Sequence, residues 1–186
     1  MCVTSVNNHK KQFMKIYDLF NDCTSKEIYG KIVSFRYYYN INFLQGFKNK
    51  EKDQYFEDFL ELGNNETFLD IGGYDGLTSL EFIKRVKNYK RIYFFEPDTQ
   101  NLNKAEKLLG NYKNINFLNI GAYDKNDILK FSSNESASNI DENGDIEIKV
   151  AKIDDCVDER ATFLKMDIEG AEQKALIGGE EDYRKI

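Results

Sequence analysis

The spacing of apolar side chains separates a helical first third of the chain from an alternating remainder. Up to residue 66, apolar residues recur at the three- and four-residue intervals of an amphipathic helix. The predicted inward faces are Phe13, Ile16, Tyr17 and Phe20, then Ile28, Ile32, Phe35 and Tyr39, then Tyr55, Phe56, Phe59 and Leu60. Thr24 and Glu27 form a capping-box pattern before the second helix, and Gly63 ends the third, which spans about residues 52–62.

From Thr67 onwards, short apolar runs alternate with helical patterns. We predict strands over residues 68–71, 91–95, 115–120 and 162–167, and helices over 77–86, from 98 or 99 to 110, and from about residue 170. The run at 91–95 is almost entirely apolar, as in a parallel strand that is covered on both faces. This order predicts right-handed crossovers and an α/β fold: a doubly wound, Rossmann-like, mostly parallel sheet with helices on both faces.

Two further alternating segments, residues 128–131 and 146–153, interrupt this order before the fourth main strand. The Asn143-Gly144 pair is a turn signal, so we expect a hairpin there. The Ser- and Asn-rich residues 132–139 form either a connector or a flap over a site. We thus predict a helical N-terminal extension over residues 1–66, which packs on the sheet or covers its pocket, and a Rossmann-like domain over 67–186.

Charge and composition exclude several classes of protein. The net charge is -6 and no basic stripe is present, which argues against nucleic acid or an anionic membrane surface as a partner. Three widely spaced cysteines and a single histidine, His9, predict no metal site. No apolar run approaches the length of a membrane span. The odd cysteine count and the absence of a signal-peptide pattern at the start predict a cytoplasmic protein.

Residues 68–76 read Phe-Leu-Asp-Ile-Gly-Gly-Tyr-Asp-Gly, a buried strand that runs into a glycine-rich turn before a helix. Such a turn lets a ligand approach main-chain N–H groups at the start of the helix. The G-G-x-x-G spacing differs from the G-x-G-x-x-G of nicotinamide enzymes. Taken alone, the turn is explained equally well as a tight connection without a ligand.

Carboxylates at the ends of two other strands favour a ligand. Glu96 ends the second strand, 20 residues after Gly76, where doubly wound folds hold the ribose hydroxyls of an adenosine cofactor. Asp167 ends the fourth strand, at the topological switch point beside the first strand. Asp167 and Glu169 instead act as helix caps in the alternative interpretation, although that role suits only one of them.

Three segments in this order resemble the motifs of the FkbM-type methyltransferases, which are class I enzymes that depend on S-adenosylmethionine. They are residues 70–76, 95–97 and 165–172, and the last is the most specific. The resemblance spans about residues 67–178. It implies that the methionine part of the cofactor lies against the glycine turn, that Glu96 binds the ribose and that Ala122 lies near the adenine. The implied residues of the turn are Asp70, Gly72, Gly73, Asp75 and Gly76.

The same resemblance implies that Asp167 and Glu169 face the reacting methyl group. It also implies O-methylation of a sugar, a polysaccharide or another small-molecule hydroxyl. A hydroxyl is a poor nucleophile, and a nearby carboxylate that takes its proton assists the transfer. From position alone, Asp167 is the first candidate for this base and Glu169 the second.

Two alternatives remain at this point. The first is a nicotinamide-dependent oxidoreductase, which the glycine spacing and the carboxylate-rich fourth strand oppose. The second is a non-catalytic or inactive cofactor-binding fragment, because a class I sheet usually has seven strands and the C-terminal ones are missing here. The fourth strand would then expose an unpaired edge through which the chain self-associates. We favour a fragment of a longer protein.

Overall fold

A computed structural model describes residues 2–48, 54–131 and 146–183 of the 186-residue chain. The chain divides into two compact units, Met1–Glu51 and Lys52–Ile186. The first unit is helical and the second is a mixed α/β domain.

The first unit consists of α1 (Cys2–Asn8), α2 (Lys10–Leu19), α3 (Cys23–Tyr38) and a 3₁₀ helix (Ile41–Leu44). The expected capping box at Thr24 and Glu27 is wrong, because α3 begins two residues earlier than that pattern indicates. Asp22 caps α3 by accepting the N–H of Ser25 at 2.7 Å. Glu27 is instead ion-paired with Lys31 one turn later, at 2.6 Å.

The third predicted helix is also wrong over the residues described, 54–62, which form turns. Phe56 is buried there, whereas Phe59 is 78% exposed, so the predicted apolar stripe does not face inward as a whole. Arg85 explains the difference. Its guanidinium donates to the Phe56 carbonyl at 3.3 Å, which satisfies a backbone acceptor without a helix. It also lies over the Phe56 ring, 5.1 Å from the centroid. Residues 52 and 53 lie outside the described part.

The second unit is built on four parallel strands in the order β3-β2-β1-β7. Their bounds are β1 (Thr67–Ile71), β2 (Arg91–Phe95), β3 (Ile115–Leu118) and β7 (Phe163–Met166). Between them lie α4 (Leu77–Arg85) and α5 (Thr99–Leu109). Asp98 caps α5, and its side chain accepts the N–H of Asn101 at 2.8 Å. The predicted doubly wound sheet is confirmed, although β3 and β7 are shorter than expected.

Helices cover both faces of this sheet. Alternate residues of β1 and β2 point to opposite faces, and every position of these strands except the partly exposed Arg91 is buried on one side or the other. Phe68, Ile92 and Phe94 pack against α4 and α5. Leu69, Ile71, Tyr93 and Phe95 pack on the opposite face against residues of α6 (Ile153–Cys156) and α7 (Glu172–Gly178). Both-sided burial is therefore the reason that these strands read as nearly continuous apolar runs.

A second, three-stranded sheet contains the predicted hairpin. It joins β4 (Gly121–Ala122), β5 (Asp127–Phe131) and β6 (Ile146–Ala151) in the order β4-β6-β5, with β5 and β6 antiparallel. The expected strand to residue 153 ends at Ala151, because the fully buried Ile153 begins α6. Residues 132–145, with the Asn143-Gly144 turn and the connector or flap, lie outside the described part.

The chain ends in α7 and the short α8 (Glu180–Tyr183). α7 begins at Glu172, two residues later than the predicted start near Gly170. Among the described helices, none is long and apolar enough to cross a membrane.

Candidate active site

The turn between β1 and α4 can be built only with glycine at two positions. Gly72 has a φ of +75°, and a Cβ there would lie 2.2 Å from the carbonyl oxygen of Asp167. A Cβ on Gly73 would lie 2.2 Å from the ring of Phe94. Gly76, with a φ of +88°, begins α4. The turn therefore packs directly against the ends of β7 and β2, and the N–H groups of Gly72 and Gly73 both donate to the Phe95 carbonyl at 3.0 Å.

Asp70 lies beneath this turn and is fully buried. Its Oδ2 accepts a hydrogen bond of 2.6 Å from Ser79 Oγ. Its Oδ1 accepts no hydrogen bond but lies 3.2 Å from Nζ of Lys165, which compensates its charge. Lys165 Nζ also donates to the Gly72 carbonyl at 2.5 Å. Asp70 thus supports the turn from below through Lys165.

Burial raises the pKa of the Asp70 carboxyl, while the charge of Lys165 and the hydrogen bond from Ser79 lower it. Burial thus opposes the ionised form of Asp70, and the neighbouring ammonium partly restores it.

Glu96 connects the glycine turn to the start of α5. Its Oε2 accepts the N–H of Tyr74 at 2.8 Å, and its Oε1 accepts the N–H of Asp98 at 2.9 Å. Burial raises the pKa of Glu96, and these two N–H donors act in the opposite direction. Each carboxylate oxygen can still accept a second hydrogen bond. Asp75, in the same turn, accepts the N–H of Leu77 at 3.2 Å at the beginning of α4.

Asp167 and Glu169 follow β7 and are both exposed. The N–H of Asp167 donates to the Ile71 carbonyl at 3.1 Å, which fixes its backbone beside β1. Neither residue caps α7, whose N-cap position, Ala171, makes no side-chain cap hydrogen bond. Glu172 Oε1 instead accepts the N–H groups of Ile168 and Gly170 in the turn before the helix, both at 3.2 Å. The N–H of Glu172 itself and that of Gly170 lower the pKa of the Glu172 carboxyl.

Tyr55 also contacts Asp167, although the sequence pattern gave Tyr55 no role in the site. Its hydroxyl donates to Oδ2 of Asp167 at 2.8 Å. Its ring lies over Nζ of Lys165, 5.5 Å from the centroid. Burial, and after it the Asp167 carboxylate, raises the pKa of Tyr55 to about 12. No local signal identifies Tyr55, because its partner lies 112 residues further along the chain.

These residues line a cleft of about 800 Å³ at the carboxyl ends of the main strands. Its described lining is acidic, with a single lysine, Lys165. The lining carboxylates are Asp75, Glu96, Asp98, Glu147, Asp167 and Glu169. Glu147 is ion-paired with Lys130 on the neighbouring strand at 3.4 Å, and the other five have no ion pair with any described residue. The cleft therefore presents net negative charge. The described residues contain no group of three or more potential metal ligands.

An apolar pocket of about 380 Å³ continues the cleft, with which it shares Gly72, Pro97, Ile148 and Ile168. Ala122 lies in this pocket, away from Asp167 and Glu169. Its apolar lining also includes Phe95, Leu129, Val150 and Ile177. The predicted residues therefore fall into two connected parts: a polar cleft with the carboxylates, and an apolar pocket with Ala122.

The fold defines the class of protein: a Rossmann-like domain with a cleft at the carboxyl ends of its parallel strands. Residues 70–186 match the family model of the methyltransferase FkbM domain, and the chain belongs to that family. The resemblance seen in the three motifs is thereby confirmed.

A solved structure has the same fold. The crystal structure of methyltransferase FkbM from Methylobacillus flagellatus superposes with a TM-score of 0.84 at 22% sequence identity. The match covers 98% of this chain and 47% of that one, so this chain spans about half the length of the protein it matches. A comparison with curated proteins finds no match.

Proposed function

We propose that this protein is an S-adenosylmethionine-dependent methyltransferase that methylates a hydroxyl group of a sugar, a polysaccharide or another small molecule. Membership of the FkbM family supports the reaction class. The charge of the cleft is the observation that carries the choice of cofactor, because six carboxylates and one lysine line its described part.

This charge distinguishes the two cofactors that suit a Rossmann-like fold. A nicotinamide dinucleotide carries two phosphate charges, and an acidic cleft repels them. S-adenosylmethionine carries a sulfonium and an ammonium against one carboxylate, and the same cleft attracts it. The oxidoreductase alternative is therefore the weaker one.

The described residues fit the parts of S-adenosylmethionine. The glycine turn would hold the methionine part, because Gly72 and Gly73 line the cleft beside Asp167. Glu96 would accept the ribose hydroxyls with its remaining lone pairs. The apolar pocket at Ala122 would take the adenine. When bound, the cofactor supplies a methyl group on a sulfonium, which leaves as a neutral thioether.

Asp167 would act as the general base. Its Oδ2 is engaged by Tyr55, and its Oδ1 accepts no hydrogen bond from a described residue. Oδ1 is thus available for the proton of the acceptor hydroxyl as the new oxygen–carbon bond forms. General-base assistance contributes about 10²–10⁴-fold in rate. Glu169, two residues away and in the same cleft, is the second candidate.

Calorimetry on the full chain tests the cofactor. We expect S-adenosylmethionine to bind and NAD to give no heat. Glu96→Gln should weaken binding by about 10–100-fold, since a hydrogen bond to a charged group contributes about 1.5–3 kcal/mol. Glu159→Gln is the matched control, because Glu159 pairs with Lys90 and Arg91 away from the cleft. Binding of NAD, or no binding of S-adenosylmethionine at millimolar concentration, would overturn the proposal.

Release of S-adenosylhomocysteine in the presence of a panel of sugars, oligosaccharides and small alcohols tests the base. We expect Asp167→Asn to lower turnover by about 10²–10⁴-fold with little change in cofactor binding. Glu169→Gln should have the smaller effect. Full turnover by Asp167→Asn would show that Asp167 is not the general base.

A second candidate is a cofactor-binding fragment without activity that self-associates. It is favoured by one observation: among the described strands, β7 pairs with β1 alone, so its other edge is free. Light scattering on the purified chain tests it, and a stable monomer would count against association through this edge. A cytoplasmic location remains a prediction of the sequence.

A further inference from the structure

The turns before β1 bring Tyr55 to the cleft, and the next residue, Phe56, anchors these turns to the domain. Phe56 is 4% exposed, and its ring lies 5.9 Å from that of Phe163 on β7. The Arg85 guanidinium fixes the same residue through its ring and its carbonyl. A residue held from two sides has a defined backbone, so its neighbour Tyr55 is held at the cleft as well.

Tyr55 contacts three parts of the site at once. Its hydroxyl donates to Asp167 Oδ2 at 2.8 Å, and its ring covers Nζ of Lys165 at 5.5 Å. That ammonium in turn contacts Asp70 at 3.2 Å and the Gly72 carbonyl at 2.5 Å. Lys165 is only 6% exposed, so Tyr55 helps to keep water from the buried ion pair beneath the glycine turn.

The hydroxyl of Tyr55 remains a donor at neutral pH. Burial and the adjacent Asp167 carboxylate raise the pKa of Tyr55 to about 12. The proton in the Tyr55–Asp167 hydrogen bond therefore stays on the phenol. Tyr55 is thus suited to orient this carboxylate and not to replace it as a base.

We propose that Tyr55 is a positioning residue for methyl transfer, which holds Oδ2 of Asp167 and thereby directs Oδ1 at the acceptor hydroxyl. This inference rests on the proposed function. In the assisted step the acceptor O–H bond breaks and its proton passes to Oδ1. The oxygen–methyl bond forms while the sulfur–methyl bond breaks, and the electron pair of that bond remains on sulfur.

The methyl resonance of S-adenosylmethionine labelled with ¹³C at the methyl group tests this without knowledge of the acceptor. A carboxylate held beside the methyl group perturbs its ¹H and ¹³C shifts in the bound state. We expect Tyr55→Phe to move the bound resonance towards its position in free cofactor, and Asp167→Asn to do the same. Cofactor affinity should change by less than about tenfold, as for the loss of one hydrogen bond.

Tyr93→Phe is the matched control. The Tyr93 hydroxyl also donates to an aspartate, Asp158, and loss of this hydrogen bond should leave the methyl resonance unchanged. Because Tyr55 acts through Asp167, adding Tyr55→Phe to Asp167→Asn should produce no further shift. A structural role alone would not give this dependence.

Several results would overturn the inference. A bound resonance that Tyr55→Phe leaves in place would do so, as would shifts that add in the double variant. Should Tyr55→Phe unfold, 3-fluorotyrosine at position 55 decides the matter, because its ¹⁹F resonance must move on addition of S-adenosylmethionine. The absence of any bound methyl resonance in the unmodified chain is a different result, which rejects the proposed function itself.

Discussion

The two ends of the central sheet use the same residue types in different ways. Near the amino ends of the strands, the Glu159 carboxylate forms ion pairs with Nζ of Lys90 at 3.1 Å and with Nε of Arg91 at 3.2 Å. There Tyr93 donates to Asp158. Charged groups at this end are largely matched by partners of opposite sign, which is the arrangement expected of residues that support the fold.

The carboxyl ends of the strands are not balanced in this way. Lys165 is the one lysine in the described lining of the cleft, and its charge is compensated by the buried Asp70. The carboxylates of Glu96 and Asp167 accept hydrogen bonds but have no paired cation among the described residues. Residues with uncompensated charge in a cleft are candidates for ligand binding. The contrast therefore separates an end with partly exposed ion pairs from an end with one buried ion pair and carboxylates that have no paired cation.

The largest effect is expected at the buried ion pair. Lys165→Met leaves the buried Asp70 carboxyl without its counter-ion, and loss of one partner of a buried pair costs about 3–5 kcal/mol. Urea unfolding of the full chain measures this loss. The Asp70→Asn/Lys165→Met double variant should recover part of the stability. A loss below about 1 kcal/mol, as for an exposed pair, would remove the contrast between the two ends.

The next largest effect is expected in the glycine turn. Gly72→Ala introduces a Cβ 2.2 Å from the Asp167 carbonyl at a positive φ. Backbone strain and overpacking each cost about 1–3 kcal/mol, so we expect a loss of about 2–6 kcal/mol in stability and loss of cofactor binding. Gly30→Ala, in α3, has nothing within 4 Å of its new Cβ and is the control. Thermal unfolding and calorimetry measure both, and equal effects of the two variants would contradict the expectation.

The pH dependence of the free energy of unfolding should show that the pKa of Asp70 is raised in the folded protein. Burial raises its pKa in the folded protein above its ordinary value, so the folded state binds the proton more tightly than the unfolded one. The stability that this proton contributes is present at acid pH and is lost as the pH rises through the folded pKa. Wild type should therefore lose stability relative to Asp70→Asn over that interval. A difference that stays constant from about pH 4 to about pH 8 would exclude this role.

The smallest effect is expected at the amino ends. Arg91→Met removes an ion pair between side chains that are 34% and 19% exposed, and pairs in contact with solvent contribute less than about 1 kcal/mol. The same urea unfolding that measures Lys165→Met serves here. A loss as large as that of Lys165→Met would mean that the two ends carry comparable electrostatic stabilisation.

The sequence predicted those elements whose cause is local. β1, the glycine turn and α4 follow from an apolar run, two glycines and a helical repeat that adjoin each other along the chain. The inward residues of α5, Leu102, Ala105 and Leu109, are buried as the pattern indicates.

Elements that depend on distant partners were predicted less well. The apolar spacing of residues 52–62 predicts a helix, but Arg85 anchors Phe56 by side-chain contacts and the described residues form turns. The predicted N-cap of α3 was also wrong. Thr24 and Asp22 are both residue types that cap helices well, and only the position at which the helix begins shows that Asp22 is the cap.

For the site, the sequence by itself determined the order of the motifs and the positions of Glu96 and Asp167 at strand ends, because the carboxyl ends of parallel strands meet at one edge. Only the tertiary structure decided which carboxylates have partners. It placed Glu172 on the N–H groups of the turn before α7 and Lys165 beside Asp70. It also brought Tyr55 to Asp167 across 112 residues of chain, a contact that side-chain packing creates and that no local pattern encodes.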